Sequence, residues 1–265
     1  KQVNFYKKLK NKPLEEVISK INMRDGLNTD ENDEHFIRMK KKTARLLKAY
    51  IERQFKKKEK GITELISNAL DAGEDNIDVS VGKGRITVEN DGKEGISLKT
   101  VFDNLLNITN STKTERRVQI GRFGLGFFSS LNYLENEDDE LSIVSLRSDT
   151  CFRVTIGIKY EDGIKKYYIK DVESLTRQEA GRFARHLKGN GTSISMKIKA
   201  LEKQEEADNI IKGIKYDFSH SLKKIKLYHG GGYDVLGYNE NSFKKLEREP
   251  DTEAGLLFNP QKALP

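Results

Sequence analysis

The chain has 265 residues, 35% of them hydrophobic and 34% charged, and 48 Lys/Arg against 41 Asp/Glu give it a formal net charge of +7. That length sustains one large domain with a real core, or a domain plus a smaller appendage. No apolar run approaches the ~18 residues of a membrane-spanning helix, and the single cysteine, Cys151, excludes an internal disulfide.

The histidines at 35, 186, 220 and 229 are scattered, without metal-site spacing. No charged-then-apolar leader opens the sequence, so a cytoplasmic protein is expected, or a nuclear one in a eukaryote. A start at Lys1 without Met suggests a piece of a longer protein. The charge is uneven: residues 1–60 hold 18 basic and 9 acidic residues, so all of the surplus lies there and the rest is slightly acidic.

In chain order, residues 11–22 read as a helix, with Pro13 in the first turn and Leu14, Val17, Ile18 and Ile21 at helical spacing. An acidic stretch at 24–34 reads as a loop. Helical spacing resumes from Phe36 to Lys58 through Leu47, Ile51 and Phe55, with Lys and Arg elsewhere. A third helix is predicted from Thr63 to Ala72, ending at Gly73.

The period then changes to two. Ile77, Val79 and Val81, a Gly82-Lys83-Gly84 turn, then Ile86 and Val88 predict a hairpin. Leu98, Val101, Phe102 and Leu105 predict a short helix capped by Ser97. Strands follow at 141–147, 152–160, 164–170 and 192–198, then a charged helical segment at 201–222 and a strand at 223–228. Beyond Gly230 the Gly, Asn and Pro content predicts loop or tail. The expected fold class is α+β, a two-layer sandwich with helices over one face of a mostly antiparallel sheet. Three regions are expected: a basic helical one at 1–60, a core domain at 61–200, and a helix, strand and tail at 201–265.

Four segments bear on chemistry. In Glu64-Leu65-Ile66-Ser67-Asn68-Ala69-Leu70-Asp71, the residues Glu64, Asn68 and Asp71 stand at i, i+4 and i+7, on one helix face. A carboxylate beside an amide oxygen suits a Mg²⁺-nucleotide site, with a hard oxygen ligand and a base for water. The same segment reads equally as a salt-bridged surface helix. Asn90-Asp91-Gly92-Lys93-Glu94-Gly95-Ile96 places an Asp at a strand end, able to accept from an exocyclic amine, and alone is an ordinary turn. Gly121-Arg122-Phe123-Gly124-Leu125-Gly126-Phe127-Phe128 is a glycine loop running into an apolar helix, where backbone N–H groups converge on an anion. It is neither a Walker A loop nor the dinucleotide fingerprint. Gly191-Thr192 opens a strand.

Together and in this order, the four segments resemble the GHKL (Bergerat-fold) ATPases: gyrase, heat-shock chaperone, histidine kinase and MutL. The resemblance covers about residues 60–200. It is nearest to the ninety-kilodalton heat-shock chaperones at Glu-Leu-Ile-Ser-Asn-Ala and at Ile120 to Phe127. It implies that ATP and Mg²⁺ are the cofactors, that Glu64 is the general base and that Asn68 is the metal ligand. It implies that Asp91 reads adenine's amino group with support from Thr192, and that Asp71 and Gly95 are supporting positions. The loop of Gly121, Arg122, Phe123, Gly124, Leu125, Gly126 and Phe127 would receive the γ-phosphate, with Arg122 either adding charge there or facing solvent. Residues 107–119 would be the lid, with Ser111, Thr112 and Lys113 able to touch phosphate.

There are two departures. The family pattern has glycine two residues after the adenine-reading Asp, where this chain has Lys93, so either Gly92 takes that role or the turn carries an insertion. The lid is shorter than the chaperones' and nearer MutL- and MORC-type members. His35 is followed by Phe36 rather than an acidic residue, which disfavours the histidine-kinase branch. The resemblance implies slow hydrolysis coupled to lid closure and homodimerisation, with a following transducer domain supplying a lysine in many members. Lys203, Lys212, Lys215, Lys223 and Lys224 are the candidates. A chaperone-like role on a protein client, a MORC/MutL-like role with DNA, and a nucleotide-sensing switch in a larger protein remain open. Lys40, Lys41, Lys42, Lys56, Lys57 and Lys58 are either a DNA-binding surface or a solvated helix face.

Overall fold

The structure, a computed structural model, describes residues 10–12, 59–72, 77–105, 125–161 and 163–237. The helices expected at 11–22 and 36–58 fall almost wholly outside the described residues. Among those described, the order is α1 (Glu59–Asp71), β1 (Ile77–Gly82), β2 (Arg85–Asp91), α2 (Leu98–Thr100), a wider π-type turn (Val101–Leu105), α3 (Leu125–Leu131), β3 (Glu140–Leu146), β4 (Cys151–Glu161) and β5 (Ile164–Leu175). Then come α4 (Arg177–Phe183), β6 (Gly191–Lys197), a 3₁₀ turn (Lys199–Glu202), α5 (Gln204–Phe218), β7 (Ile225–His229) and β8 (Gly232–Leu236).

The strands form one eight-stranded sheet in the order β5-β4-β3-β6-β2-β1-β7-β8. Every pairing is antiparallel except β1 with β7, which needs the long crossover through α5. The predicted hairpin forms as expected: Gly82 pairs with Arg85 across two residues, Lys83 at φ 52° and Gly84 at φ 71°. Two successive positive φ angles match the right-handed twist of the flanking strands.

Alternation along the strands divides the side chains between two faces. Ile77, Val79, Ile86, Val88, Leu141 and Ile143 all enter one large core. Helix α1 closes that core with Ile62, Leu65, Ile66 and Ala69, and α5 with Ala207, Ile210, Ile214 and Phe218. Gly61 lets α1 meet α3 closely, since a Cβ there would lie 2.8 Å from the Ser129 carbonyl oxygen. The α+β class with helices on a mostly antiparallel sheet is therefore realised, with one addition. Helix α4 lies on the opposite face, where Ala180 and Ala184 pack on Val144, Leu146 and Cys151.

Three elements differ from expectation. The sequence reading has no helix at α4, whose stripe is too short for a periodic signal; Thr176 and Glu179 nevertheless form a complete capping box. Strand β8 occupies a stretch expected as loop, because Tyr233 and Val235 point outward from an edge strand, 60% and 56% exposed. The segment expected as one helix over 201–222 is a 3₁₀ turn followed by α5, which ends at Phe218.

Asp139 fastens the loop before β3. One carboxylate oxygen accepts from the Glu135 and Asn136 N–H groups at 2.8 Å each, and the other from Lys199 N–H at 2.8 Å. Burial opposes its charge, but these donors outweigh it and hold the carboxyl below the usual aspartate range.

Candidate functional site

Glu64, Asn68 and Asp71 share one side of α1, and all three are half-buried. The helix is held in its second turn by Thr63, whose hydroxyl donates to Asp217 of α5 at 2.9 Å. At its end the Lys223 ammonium donates to the Leu70 carbonyl at 2.7 Å. The helix that carries the candidate base is thus tied to α5 and to the stretch leading into β7.

The sheet contributes a polar stretch to the helix-covered face. In register, Asn90 of β2 opposes Thr192 of β6, and Thr192 opposes Ser145 of β3. Directly opposed residues of an antiparallel pair point to the same face. These three side chains therefore continue the rows of Val88 and Ile143, which enter the large core, and of Ile194, which packs against it. The turn after β2 is built onto this row: Ile96 N–H donates to Thr192 Oγ1 at 3.0 Å, and Ser145 Oγ donates to the Ile96 carbonyl at 2.7 Å.

Gly95 sits where no side chain fits. A Cβ there would collide with Ser145 Oγ and the Gly191 carbonyl and lie 2.7 Å from the Leu146 carbonyl. Its N–H donates to Leu146 O at 3.2 Å and its carbonyl accepts from the Arg147 guanidinium at 2.7 Å.

Asp91 is placed elsewhere. It pairs with Gly191, one step beyond the Asn90–Thr192 pair, and so points to the opposite face. There its carboxylate accepts from Lys188 N–H at 2.9 Å. The neighbouring turn is fastened on that outer side too: Gly92 N–H donates to Asn190 O at 3.0 Å, and Asn190 Nδ2 to Lys93 O at 2.9 Å. Asp91 and Thr192, expected to act together on adenine, therefore lie on opposite faces, because a one-residue step along a strand reverses the face. The sequence reading passed over Asn90 and Ser145. Alternation from Ile86 and Val88 was the available signal for Asn90.

Of the glycine loop, Leu125 and Gly126 open α3, and Phe127 in the same helix is buried in the core at 2% exposure. Gly121, Arg122, Phe123 and Gly124 lie outside the described residues, as do Ser111, Thr112 and Lys113 of the expected lid.

Two of the candidate lysines have structural partners: Lys223 on α1, and Lys215, which pairs with Asp234 at 2.7 Å. Among the described residues, no group of three or more His, Cys, Asp and Glu is arranged to hold a metal ion. No helix there is long and apolar enough to cross a membrane.

A search of curated proteins found no match. The family model for histidine kinase-, DNA gyrase B-, and HSP90-like ATPases matches residues 56–188, half of the chain. The match contains α1 with Glu64 and Asn68, the turn with Gly95, and the glycine loop leading into α3. The chain therefore belongs to the family of histidine kinase-, DNA gyrase B-, and HSP90-like ATPases.

Proposed function

We propose that the protein binds ATP with Mg²⁺ between α1 and the polar stretch of the sheet, and hydrolyses it slowly. The observation that carries this reading is that two polar sets border one and the same core. Glu64, Asn68 and Asp71 line one side of α1, and Asn90, Thr192 and Ser145 interrupt an otherwise apolar sheet face. Glu64 is the base that polarises the attacking water. Asn68 offers the hard amide oxygen that Mg²⁺ prefers, and the half-buried position suits a ligand shared with phosphates. Bound Mg²⁺ would supply charge neutralisation at the phosphates. Asp71 and Gly95 support the site, and Thr192 supports recognition of the adenine ring. Gly121, Arg122, Phe123, Gly124, Leu125, Gly126 and Phe127 form the phosphate loop, with Ser111 and Lys113 approaching from the lid.

Nucleotide state then governs lid closure and homodimerisation, in a chaperone-like cycle on a protein client. Calorimetric titration of ATP with and without Mg²⁺ tests the site. ATP should bind more tightly with Mg²⁺, and Asn68→Ala should remove that gain. Equal binding by both proteins with and without the metal would contradict the reading.

The basic surplus of residues 1–60 favours a second reading, a MORC/MutL-like ATPase that works with DNA. Hydrolysis measured with and without duplex DNA separates the two, because only the second predicts stimulation that fades as salt rises. A rate indifferent to both DNA and protein clients would favour the nucleotide-sensing switch.

A further inference from the structure

The polar stretch on the sheet raises the question of which side chain meets the nucleobase. We propose that Asn90, not Asp91, is the base-reading residue, and that Asp91 is a clasp holding the turn to the outer layer. This rests on the ATP-site reading above.

Three observations carry it. First, Asn90 opposes Thr192 in an unbroken register that runs from Arg85↔Lys197 to Asp91↔Gly191, so its side chain lies on the helix-covered face beside the Thr192 hydroxyl. No bulge offers Asp91 a way back to that face. Second, Asp91 is already engaged on the other side through Lys188 N–H, in a set of contacts that includes Gly92 with Asn190 and Glu94 with Ser148. Third, Gly92 stands two residues after Asn90, so counting from Asn90 restores the glycine spacing that counting from Asp91 breaks at Lys93. Glu94 then becomes the inserted residue, and its carboxylate on Ser148 Oγ at 2.6 Å keeps it outside the site.

The substitution changes the recognition chemistry. A carboxylate only accepts hydrogen bonds, so it favours adenine's amino group and repels the guanine carbonyl oxygen. A carboxamide carries both an acceptor oxygen and a donor NH₂, and a half-turn about its last bond exchanges them. Asn90 can therefore accept from the adenine amine or donate to the guanine oxygen, and discrimination between ATP and GTP should be weak. Thr192 does not restore it, since its hydroxyl oxygen is held by the Ile96 N–H and its own proton is free to rotate.

Calorimetric titrations of ATP and of GTP, with Mg²⁺, against the wild-type chain and the Asn90→Asp, Asn90→Ala and Asp91→Asn variants test the assignment. The wild type should bind both nucleotides within about tenfold of each other. Asn90→Ala should weaken ATP by about tenfold, the loss of one buried hydrogen bond. Asn90→Asp should shift preference toward ATP by at least about tenfold, because an unpaired carbonyl would face a carboxylate. Asp91→Asn keeps an oxygen for Lys188 N–H and should change neither affinity by more than about threefold. Asn90→Asp is nearly isosteric, so it decides the matter if Asn90→Ala does not fold. Loss of ATP binding in Asp91→Asn with Asn90→Asp unchanged in selectivity would overturn the assignment and leave the ATP site standing. Failure of the wild type to bind either nucleotide would overturn both.

Discussion

Lys223 donates its ammonium to the Leu70 carbonyl at 2.7 Å, placing a cation on the last turn of the helix that carries Glu64 and Asn68. The last carbonyls of a helix lack intrahelical donors and carry partial negative charge, so this bond both satisfies an acceptor and favours the dipole. It also gives a structural partner to one lysine that the sequence left among candidates for the phosphate. Lys223→Met should lower stability by about 1 kcal/mol, read as an earlier urea midpoint with an unchanged slope. A loss of hydrolysis without any loss of stability would instead return Lys223 to the nucleotide.

The contacts around Gly95 make a sharper demand. A methyl group there meets two carbonyl oxygens and a hydroxyl, and carbonyls in paired strands have no room to retreat. Gly95→Ala should cost about 2–3 kcal/mol of stability and displace the Ile96 N–H from Thr192. The expected result is a lower melting temperature together with weakened ATP binding. An alanine protein as stable as the wild type would show that the turn does not close in this way.

Glu89 gives a pH signature. Its side chain is 1% exposed on the face away from the core, and one carboxylate oxygen accepts from His186 N–H at 3.0 Å. Burial raises its carboxyl above the ordinary glutamate value despite that donation. A raised folded value means the folded state binds the proton more readily than the unfolded chain. Stability from this group therefore falls as pH rises from the ordinary glutamate range through the folded value. Glu89→Gln keeps an oxygen for His186 and offers an NH₂ toward the neighbouring Ser193 hydroxyl. It should raise the melting temperature by a few degrees near neutral pH, and the gain should shrink on acidification toward the ordinary range. A gain that grew on acidification would contradict the cause given.

The hairpin, the α1 core stripe and most strands could be read from the sequence because their side chains alternate or recur against one core. Strand β8 and helix α4 could not, for opposite reasons. Tyr233 and Val235 do alternate, but outward, whereas α4 buries little beyond Ala180 and announces itself only through Thr176 and Glu179. At the candidate site, Glu64 and Asn68 stand at helical spacing in the sequence, whereas Gly95 and Thr192 come only with the family resemblance. The face of Asp91 was not readable, since its orientation depends on strand pairing with β6, a hundred residues away. Residue identity suggested the acid, while register placed its neighbour Asn90 beside Thr192.

The central claim is that α1 supplies the base for ATP hydrolysis. Its most direct test is steady-state phosphate release by Glu64→Ala, with ATP affinity measured on the same protein. Glu64 is half-buried one turn from Asn68, and in the proposed role it acts on the chemical step rather than in holding the nucleotide. Turnover should fall by at least about 100-fold while ATP affinity stays within about threefold. Hydrolysis by Glu64→Ala at the wild-type rate would contradict the account.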